Sequence, residues 1–181
     1  MDELVQTILT NTYTKTSLYR RFALTREFSE AVVYGKDIAD VEGDIIDQLT
    51  AFLRQREESQ ETIDAMTEWG KAFWGTVASD PIEETLHDLY RALETATLFV
   101  MYVPVALPHE RLADICAWLR NQTGVQLVLD VRVSHQIDVG CAFSFKHQFH
   151  DYSYQRRINE AHDAIVEMMR DYDTVNEAVA S

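Results

Sequence analysis

Leu98-Phe-Val-Met-Tyr-Val-Pro-Val105 is a continuous run of apolar residues, most of them β-branched or aromatic. Such a run is typical of a strand that is buried on both faces. Before it, apolar residues recur at three- and four-residue steps, and after it they alternate along two later segments. We therefore predict an α+β fold: an N-terminal α-helical bundle over residues 1–95, followed by a small β-α-β-β-α domain over residues 96–181.

The N-terminal part shows the spacing of amphipathic helices. Helices are predicted over Ser17–Tyr34, with a break near Thr25, over Asp37–Glu57, over about Gln60–Thr76, and from Asp80-Pro81 onward. The Asp37–Glu57 segment has the clearest apolar stripe, made of Ile38, Val41, Ile45, Leu49 and Phe52. Its opposite face is acidic, with Asp40, Glu42, Asp44 and Asp47. We interpret this face as solvated; a face that holds a cation or a basic partner is the alternative.

The C-terminal part combines one helix with two alternating segments and a final helix. Leu107-Pro108 opens the first of these helices, and Gly124 is a natural C-cap for it. The segments Val125–Val133 and Cys141–Phe149 predict strands, the second with Phe143, Phe145 and Phe149 on one face. Ser153 is then expected to cap a helix whose inward side carries Ile158, Ala161, Ile165 and Met168.

The composition excludes several classes of function. The chain has 181 residues, with 16 Lys and Arg against 30 Asp and Glu, which gives a net charge of −14. Such a surface is a poor partner for nucleic-acid phosphates and for anionic lipid. The longest apolar stretch, Leu98–Leu107, is about half the length of a membrane-spanning helix. Met1 is followed by Asp2 and Glu3, which does not resemble a secretory signal, so we expect a cytoplasmic or cytoplasm-facing protein without direct membrane insertion.

Residues with metal-ligating or catalytic side chains are few and scattered. His147, His150 and Asp151, with Cys141 upstream, are the best candidates for a zinc site. On one strand, however, His147 and His150 would point to opposite faces, so we interpret them as ordinary strand-end residues. Cys116 and Cys141 are too few for a disulfide framework, and each is expected to be buried and inert.

An aromatic group in the bundle also allows two interpretations. Trp69, Phe73 and Trp74 fit helical spacing, which favours packing in the core, whereas an exposed contact patch is the alternative. Phosphate-binding, hydrolase, zinc-protease and calcium-loop motifs are all absent from the sequence. We therefore expect no catalytic, cofactor-binding or metal-binding residues.

The segment that spans the last two predicted strands reads Gly124-Val-Gln-Leu-Val-Leu-Asp-Val-Arg-Val-Ser-His-Gln-Ile-Asp-Val-Gly-Cys-Ala-Phe-Ser-Phe145. This segment resembles the ATP synthase delta subunit, whose mitochondrial counterpart is the oligomycin-sensitivity-conferring protein. The resemblance covers about residues 96–170. The matching positions are Val133, Ile137 and Gly140 in a turn between strands, and Asp151, Ser153, Arg157 and Ile158 at the start of a helix. The chain departs from the family pattern at Ser134, His135, Val139 and Tyr152, which stand where an acid, a proline and two glycines are usual.

The matched residues have structural roles that do not depend on the family. Gly140 permits a positive φ between two strands, where a Cβ would be unfavourable. Ser153 is suited to cap the last helix, and the Asp151 carboxylate lies near its positive end.

The resemblance implies a non-catalytic subunit of the peripheral stalk, or stator, of a rotary proton-translocating ATP synthase. Its N-terminal bundle would bind the N-terminal helix of the alpha subunit, and its C-terminal domain would bind the b-type stalk subunits. It would act as a single copy at the cytoplasmic face of an energy-coupling membrane, either the bacterial inner membrane or the matrix side of an organelle membrane.

Two alternatives remain beside this interpretation. One is a stand-alone helical adaptor or regulatory module that has no part in ATP synthesis. The other is a small enzyme or metal protein that uses Asp151, His147 and His150.

Overall fold

The computed structural model describes residues 2–34, 43–79 and 82–179. In these residues the protein is a mixed α/β structure with eight helices and one four-stranded mixed sheet. The elements in chain order are α1 Asp2–Thr10, α2 Lys15–Tyr34, α3 Ile45–Gln55, α4 Gln60–Glu68, α5 Gly70–Val77, α6 Ile82–Glu94, β1 Thr97–Val103, α7 His109–Thr123, β2 Leu127–Val133, β3 Ala142–Phe145, β4 Gln148–Asp151 and α8 Tyr154–Val179.

The chain divides into two compact units. The first unit consists of Met1–Leu98 and His109–Asp130, and the second of Phe99–Pro108 and Val131–Ser181. The strand order in the sheet is β2-β1-β3-β4, with β3 antiparallel to both β1 and β4. Helix α7 follows β1 in sequence and belongs to the first unit, with the helices of the N-terminal part.

An aromatic cluster forms the centre of the first unit. Trp74 is completely buried, and its ring meets Phe28 edge-on at a centroid distance of 5.2 Å. Phe28 in turn meets the Phe52 ring of α3 at 5.3 Å. Trp69 and Phe73 are also buried, which confirms the prediction that these aromatic residues pack in the core. Aliphatic residues from α1 to α6 complete this core, and Val128 of β2 joins it.

Two arginines hold the loop between α1 and α2. The Arg21 guanidinium, only 2% exposed, donates to the Asn11 carbonyl at 2.6 Å and to the Thr12 hydroxyl at 3.0 Å. Arg120 of α7 donates to the Thr12 carbonyl at 2.8 Å and to the Leu127 carbonyl at 3.0 Å. Burial lowers the pKa of Arg21 from its ordinary value, an effect that the Glu61 carboxylate partly opposes. These charges satisfy backbone carbonyls, so their role is structural.

Two of the predicted helices differ from the observed ones. Helix α3 begins at Ile45 because the Asp44 carboxylate accepts the backbone N–H groups of Ile46 and Asp47 and forms a capping box. The predicted start at Asp37, with the stripe residues Ile38 and Val41 and the acids Asp40 and Glu42, lies outside the described residues, as does the predicted Asp80-Pro81 cap. The predicted helix over 60–76 is two helices, because Gly70 adopts a φ of +80° and turns the chain between α4 and α5.

Helix α2, in contrast, is continuous where a break was predicted. Thr25 is completely buried within it, and its hydroxyl donates to the Arg21 carbonyl one turn earlier at 2.8 Å. The hydroxyl is therefore satisfied inside the helix and does not cap a new one.

The segment Cys141–Phe149, predicted as one strand, is a hairpin. Lys146 and His147 both have positive φ, as a two-residue type I′ turn requires. The pairing of Phe145 with Gln148 places Phe149 opposite Ser144. Phe149 therefore lies on the other face of the sheet from Phe143 and Phe145, because directly paired residues share a face.

Gly75 offers a test of the packing of α5. It lies inside the helix, and a methyl group at this position would meet no atom within 4 Å. We expect Gly75→Ala to raise the free energy of unfolding by about 0.5–1 kcal/mol, because glycine loses more backbone entropy than alanine on entering a helix. Urea unfolding followed by tryptophan fluorescence measures this change.

Gly43→Ala is the control for that measurement. Gly43 has a φ of +140°, and its Cβ would lie 2.8 Å from side-chain atoms of Asp47. This substitution should lower the stability, and a loss of stability in Gly75→Ala would contradict the described position of Gly75.

Candidate functional site

The predicted family-motif residues lie in the second unit, where two chain segments cross closely. The Tyr152 N–H donates to the Cys141 carbonyl at 2.9 Å, and the Tyr154 N–H donates to the Val139 carbonyl at 2.8 Å. Gly140 lies between these two bonds with a φ of +98°, and a Cβ there would be 2.4 Å from the Tyr152 carbonyl oxygen. We call residues 139–141 and 152–154 the Gly140 junction. Its geometry explains why glycine occupies this position.

Asp151 and Ser153 shape the start of α8 beside this junction. The Asp151 carboxylate accepts the Ser153 backbone N–H at 2.8 Å, and Ser153 is only 5% exposed directly before the helix. Hydrogen bonds from the Ser153 side chain and backbone lower the pKa of Asp151 from its ordinary value. A carboxyl group held in its ionised form by such bonds is poorly suited to act as a general acid near neutral pH.

The remaining motif residues are arranged less closely. Ile137 is buried in the turn between β2 and β3, and its N–H donates to the Ser134 carbonyl at 3.2 Å. Val133, at the end of β2, and Ile158, in α8, are 49% and 46% exposed, and Arg157 is also exposed. The structure thus brings Ile137 and Gly140 near Asp151 and Ser153, while Val133 and Ile158 remain at the surface.

An open cavity of about 510 Å³ lies next to the junction in the second unit. Its lining includes the family-motif residues Ile137, Asp151 and Ser153. It also includes Tyr102, Phe149 and Arg156, which were not among the predicted site residues. The sequence could not indicate Tyr102, because the whole run of β1 is apolar; only the structure shows that Phe99, Met101 and Val103 are buried while Tyr102 between them is half-buried. The sequence could not indicate Phe149 either, because its face depends on the hairpin turn.

The candidate metal ligands do not converge. His147 is exposed in the hairpin turn, and His150 packs against the Phe143 ring at a centroid distance of 5.0 Å. Asp151, the next residue in the strand, points to the opposite face of the sheet and is bonded to Ser153. Among the residues that the structure describes, no group of three or more His, Cys, Asp or Glu side chains could hold a metal ion.

The two cysteines are free thiols. Cys116 is completely buried in α7, and its sulfur lies 3.5 Å from the Leu127 carbonyl oxygen. Burial raises the pKa of the Cys116 thiol from its ordinary value. A buried thiol with a raised pKa is a poor nucleophile, because the thiolate is the reactive form.

The final helix presents an apolar stripe that its sequence pattern predicted to face inward. Ile158 and Ala161 are exposed, and Ile165 and Met168 are 56% and 71% exposed. The expectation of an inward stripe was wrong, because these side chains are not covered by the rest of the described chain. In the described part of the chain, no helix has the length and apolar character needed to span a membrane.

Comparison with known proteins adds no family assignment. No model of a known protein family matches the chain, and no curated protein matches its sequence.

Proposed function

We propose that this chain is a non-catalytic peripheral-stalk subunit of a rotary proton-translocating ATP synthase, similar to the delta subunit. In this proposal a head-binding helical bundle over residues 1–95 precedes a stalk-binding β-α-β-β-α domain over residues 96–181. The subunit would link the N-terminal helix of an alpha subunit to the b-type stalk helices and hold the catalytic head against rotor torque. It would do so as a single copy, peripheral to the cytoplasmic face of the membrane.

The observation that carries this proposal is the Gly140 junction. Gly140 and Ser153, which the resemblance aligns with two separate family motifs, are in direct backbone proximity there, since a Cβ on Gly140 would lie 3.1 Å from the Ser153 Cα. Because the two sequence motifs meet in one tight junction, a structural role explains their residues better than a catalytic role does. A connector that transmits force must be rigid, and a tight junction between two chain segments provides this rigidity.

The exposed stripe of α8 also supports a connector. Tyr154, Ile158, Ala161, Ile165 and Met168 recur at steps of four and three, which is the spacing of a coiled-coil seam. An apolar stripe in water is unfavourable, and large exposed apolar patches mark interaction sites. A stalk helix that packs along this stripe would bury it.

Binding of the alpha-subunit N-terminus is the direct test of the proposal. We expect the folded chain to bind a synthetic peptide of the cognate alpha-subunit N-terminal helix, with heat release measured by isothermal titration calorimetry. The physical reason is helix-in-groove packing, aided by the acidic surface of this chain. The chain alone should show no ATPase activity.

A peptide of the same composition in scrambled order is the control. The absence of heat at high micromolar concentration, with the chain shown to be folded by circular dichroism, would contradict the proposal. The adaptor alternative has a separate test, since a gene located among genes for ATP synthase subunits would disfavour it.

A further inference from the structure

The cavity of about 510 Å³ in the second unit is built on one face of the sheet. Tyr102 of β1 pairs with Ala142 of β3, and Ala142 pairs with Asp151 of β4, so these three residues share that face. Phe149 lies two positions before Asp151 in β4 and therefore points to the same side. All four residues line the cavity, which we call the Phe149 cavity.

The Phe149 cavity keeps aromatic surface open to solvent. The Tyr102 and Phe149 rings meet edge-on at a centroid distance of 6.3 Å, and Phe149 is 63% exposed. The buried residues Ile137 and Ala142 continue the apolar lining. Ligand cavities of roughly 300–1,000 Å³ are typically lined in this way, by apolar and aromatic side chains with a few polar groups. An aromatic ring suits this wall, because aromatic pairs gain stability beyond the area that they bury.

Positive charge lies on the side of the cavity that α8 forms. Arg156 lines the cavity near the start of α8, and Asn159 lines it three residues later on the same face of the helix. The Arg156 side chain is exposed, and one of its N–H groups donates to the Asp151 backbone carbonyl at 3.4 Å. A second guanidinium, that of Arg132, lies 5.8 Å from the centroid of the Tyr102 ring. These two charges favour an anionic ligand next to the aromatic wall.

The anion that fits this charge pattern is a carboxylate. A planar guanidinium can bind a carboxylate through two parallel N–H groups. The Asp151 carboxylate also lines the cavity, where it accepts the Ser153 N–H at 2.8 Å. The described lining thus combines the positive charge of Arg156 with the negative charge of Asp151, which favours a ligand with one negative charge over a dianionic phosphate.

We propose that the Phe149 cavity binds a small aromatic carboxylate, with its ring against Tyr102 and Phe149 and its carboxylate on Arg156. The inference goes beyond the proposed function, since it rests on a cavity within the second unit and not on any partner subunit. Such a ligand would contact β1, β4 and α8 at once. It would therefore stabilise the folded second unit in proportion to its concentration.

Heteronuclear NMR of the full chain, titrated with naphthoate, tests the proposal. We expect saturable shifts of amide signals from the lining residues and a Kd of roughly 0.1–1 mM, the range for a ligand of this size in an open cavity. Naphthalenemethanol, which lacks the charge, and decahydronaphthoate, which lacks the aromatic ring, should each bind at least about threefold more weakly. Naphthyl phosphate carries the same ring with a dianionic group.

Two variants separate the contact with the carboxylate from the contact with the ring. Arg156→Gln should weaken naphthoate binding by about fivefold to tenfold and change the affinity for naphthalenemethanol by less than about twofold, because only the charged contact is lost. Phe149→Ala should weaken the binding of both compounds by about threefold to tenfold, because both place a ring on Phe149. Arg156→Lys, which keeps the charge without the planar guanidinium, should restore part of the affinity for naphthoate.

Arg157→Gln and Tyr154→Ala are the matched controls. Arg157→Gln removes the same charge one residue later in α8, and Tyr154→Ala removes an aromatic ring that is 55% exposed. Neither side chain lines the Phe149 cavity, so both variants should keep the affinity for naphthoate within about twofold. The amide spectrum of each variant verifies that it is folded.

Four results would overturn the inference. They are the absence of saturable shifts at millimolar naphthoate, shifts that avoid the lining residues, an equal affinity for naphthalenemethanol, and an equal weakening by the control variants. Tighter binding of naphthyl phosphate than of naphthoate would overturn the assignment of a carboxylate. The calorimetric test with the alpha-subunit peptide is independent of this titration, so the proposed function and the cavity inference can each fail without the other.

Discussion

Gly140→Ala is expected to destabilise the second unit by about 3 kcal/mol or more. Two effects add at this position. A φ of +98° is unfavourable for any residue with a Cβ, and the new methyl group would lie 2.4 Å from the Tyr152 carbonyl oxygen. The obstacle is backbone that is itself fixed by the hydrogen bonds of the Gly140 junction, so a side-chain rotation cannot relieve the clash.

Heteronuclear NMR and urea unfolding test this prediction. Amide signals of the second unit should shift or broaden, and the midpoint of its unfolding should fall. Gly124→Ala, in the first unit, is the control for the backbone angle alone, because Gly124 also has a positive φ, +64°, but an added Cβ would meet no atom within 4 Å. The free energy of unfolding of Gly124→Ala should fall by only about 1 kcal/mol, which is the cost of the left-handed conformation alone. Equal losses in the two variants would show that the close approach at the junction has no energetic role.

Trp74→Ala is expected to lower the free energy of unfolding of the first unit by about 3–5 kcal/mol. Trp74 is completely buried and contacts Phe28, Trp69 and Phe73 at centroid distances of 5.2, 5.6 and 5.1 Å. Its indole N–H also donates to the Met66 carbonyl at 3.0 Å. Truncation therefore leaves a large cavity and an unsatisfied buried carbonyl, and the loss is a large part of the stability of an ordinary domain.

Urea unfolding followed by circular dichroism measures the loss without relying on the tryptophan signal. Trp118→Ala is the control, because Trp118 is 61% exposed on α7 and should change the stability by less than about 0.5 kcal/mol. Trp74→Phe should give an intermediate loss, since it keeps an aromatic ring and removes the donor to Met66. A loss near that of Trp118→Ala would mean that Trp74 is not at the centre of the core.

The helices of the first unit were predictable where a stripe of apolar residues continues without a turn. Leu49 and Phe52 of α3 and Leu86, Leu89 and Leu93 of α6 are buried as their spacing indicated. Boundaries were less predictable, because they depend on single groups. Asp44 begins α3 through two hydrogen bonds, and Gly70 divides α4 from α5 through one backbone angle. Neither the Asp44 cap nor the Gly70 turn changes the spacing of the apolar residues around it, so this spacing does not reveal them.

The candidate site was predictable only as a set of residues. The sequence selected Gly140, Asp151 and Ser153, but not the closeness of Gly140 to the Tyr152 carbonyl. That closeness depends on hydrogen bonds between residues about a dozen positions apart in the chain. The lining of the adjacent cavity was missed for a related reason, since the Lys146-His147 turn decides which face Phe149 occupies.

The sequence by itself determined the mixed α/β class of this protein, its acidic surface and the apolar stripes of its main helices, because these follow from composition and from local period. The tertiary structure alone decided which stripes are covered. The stripe of α3 contributes to a core, whereas that of α8 remains exposed, although both have the same helical spacing. Burial depends on which surfaces meet in space, and the period of a helix specifies only that one face is apolar.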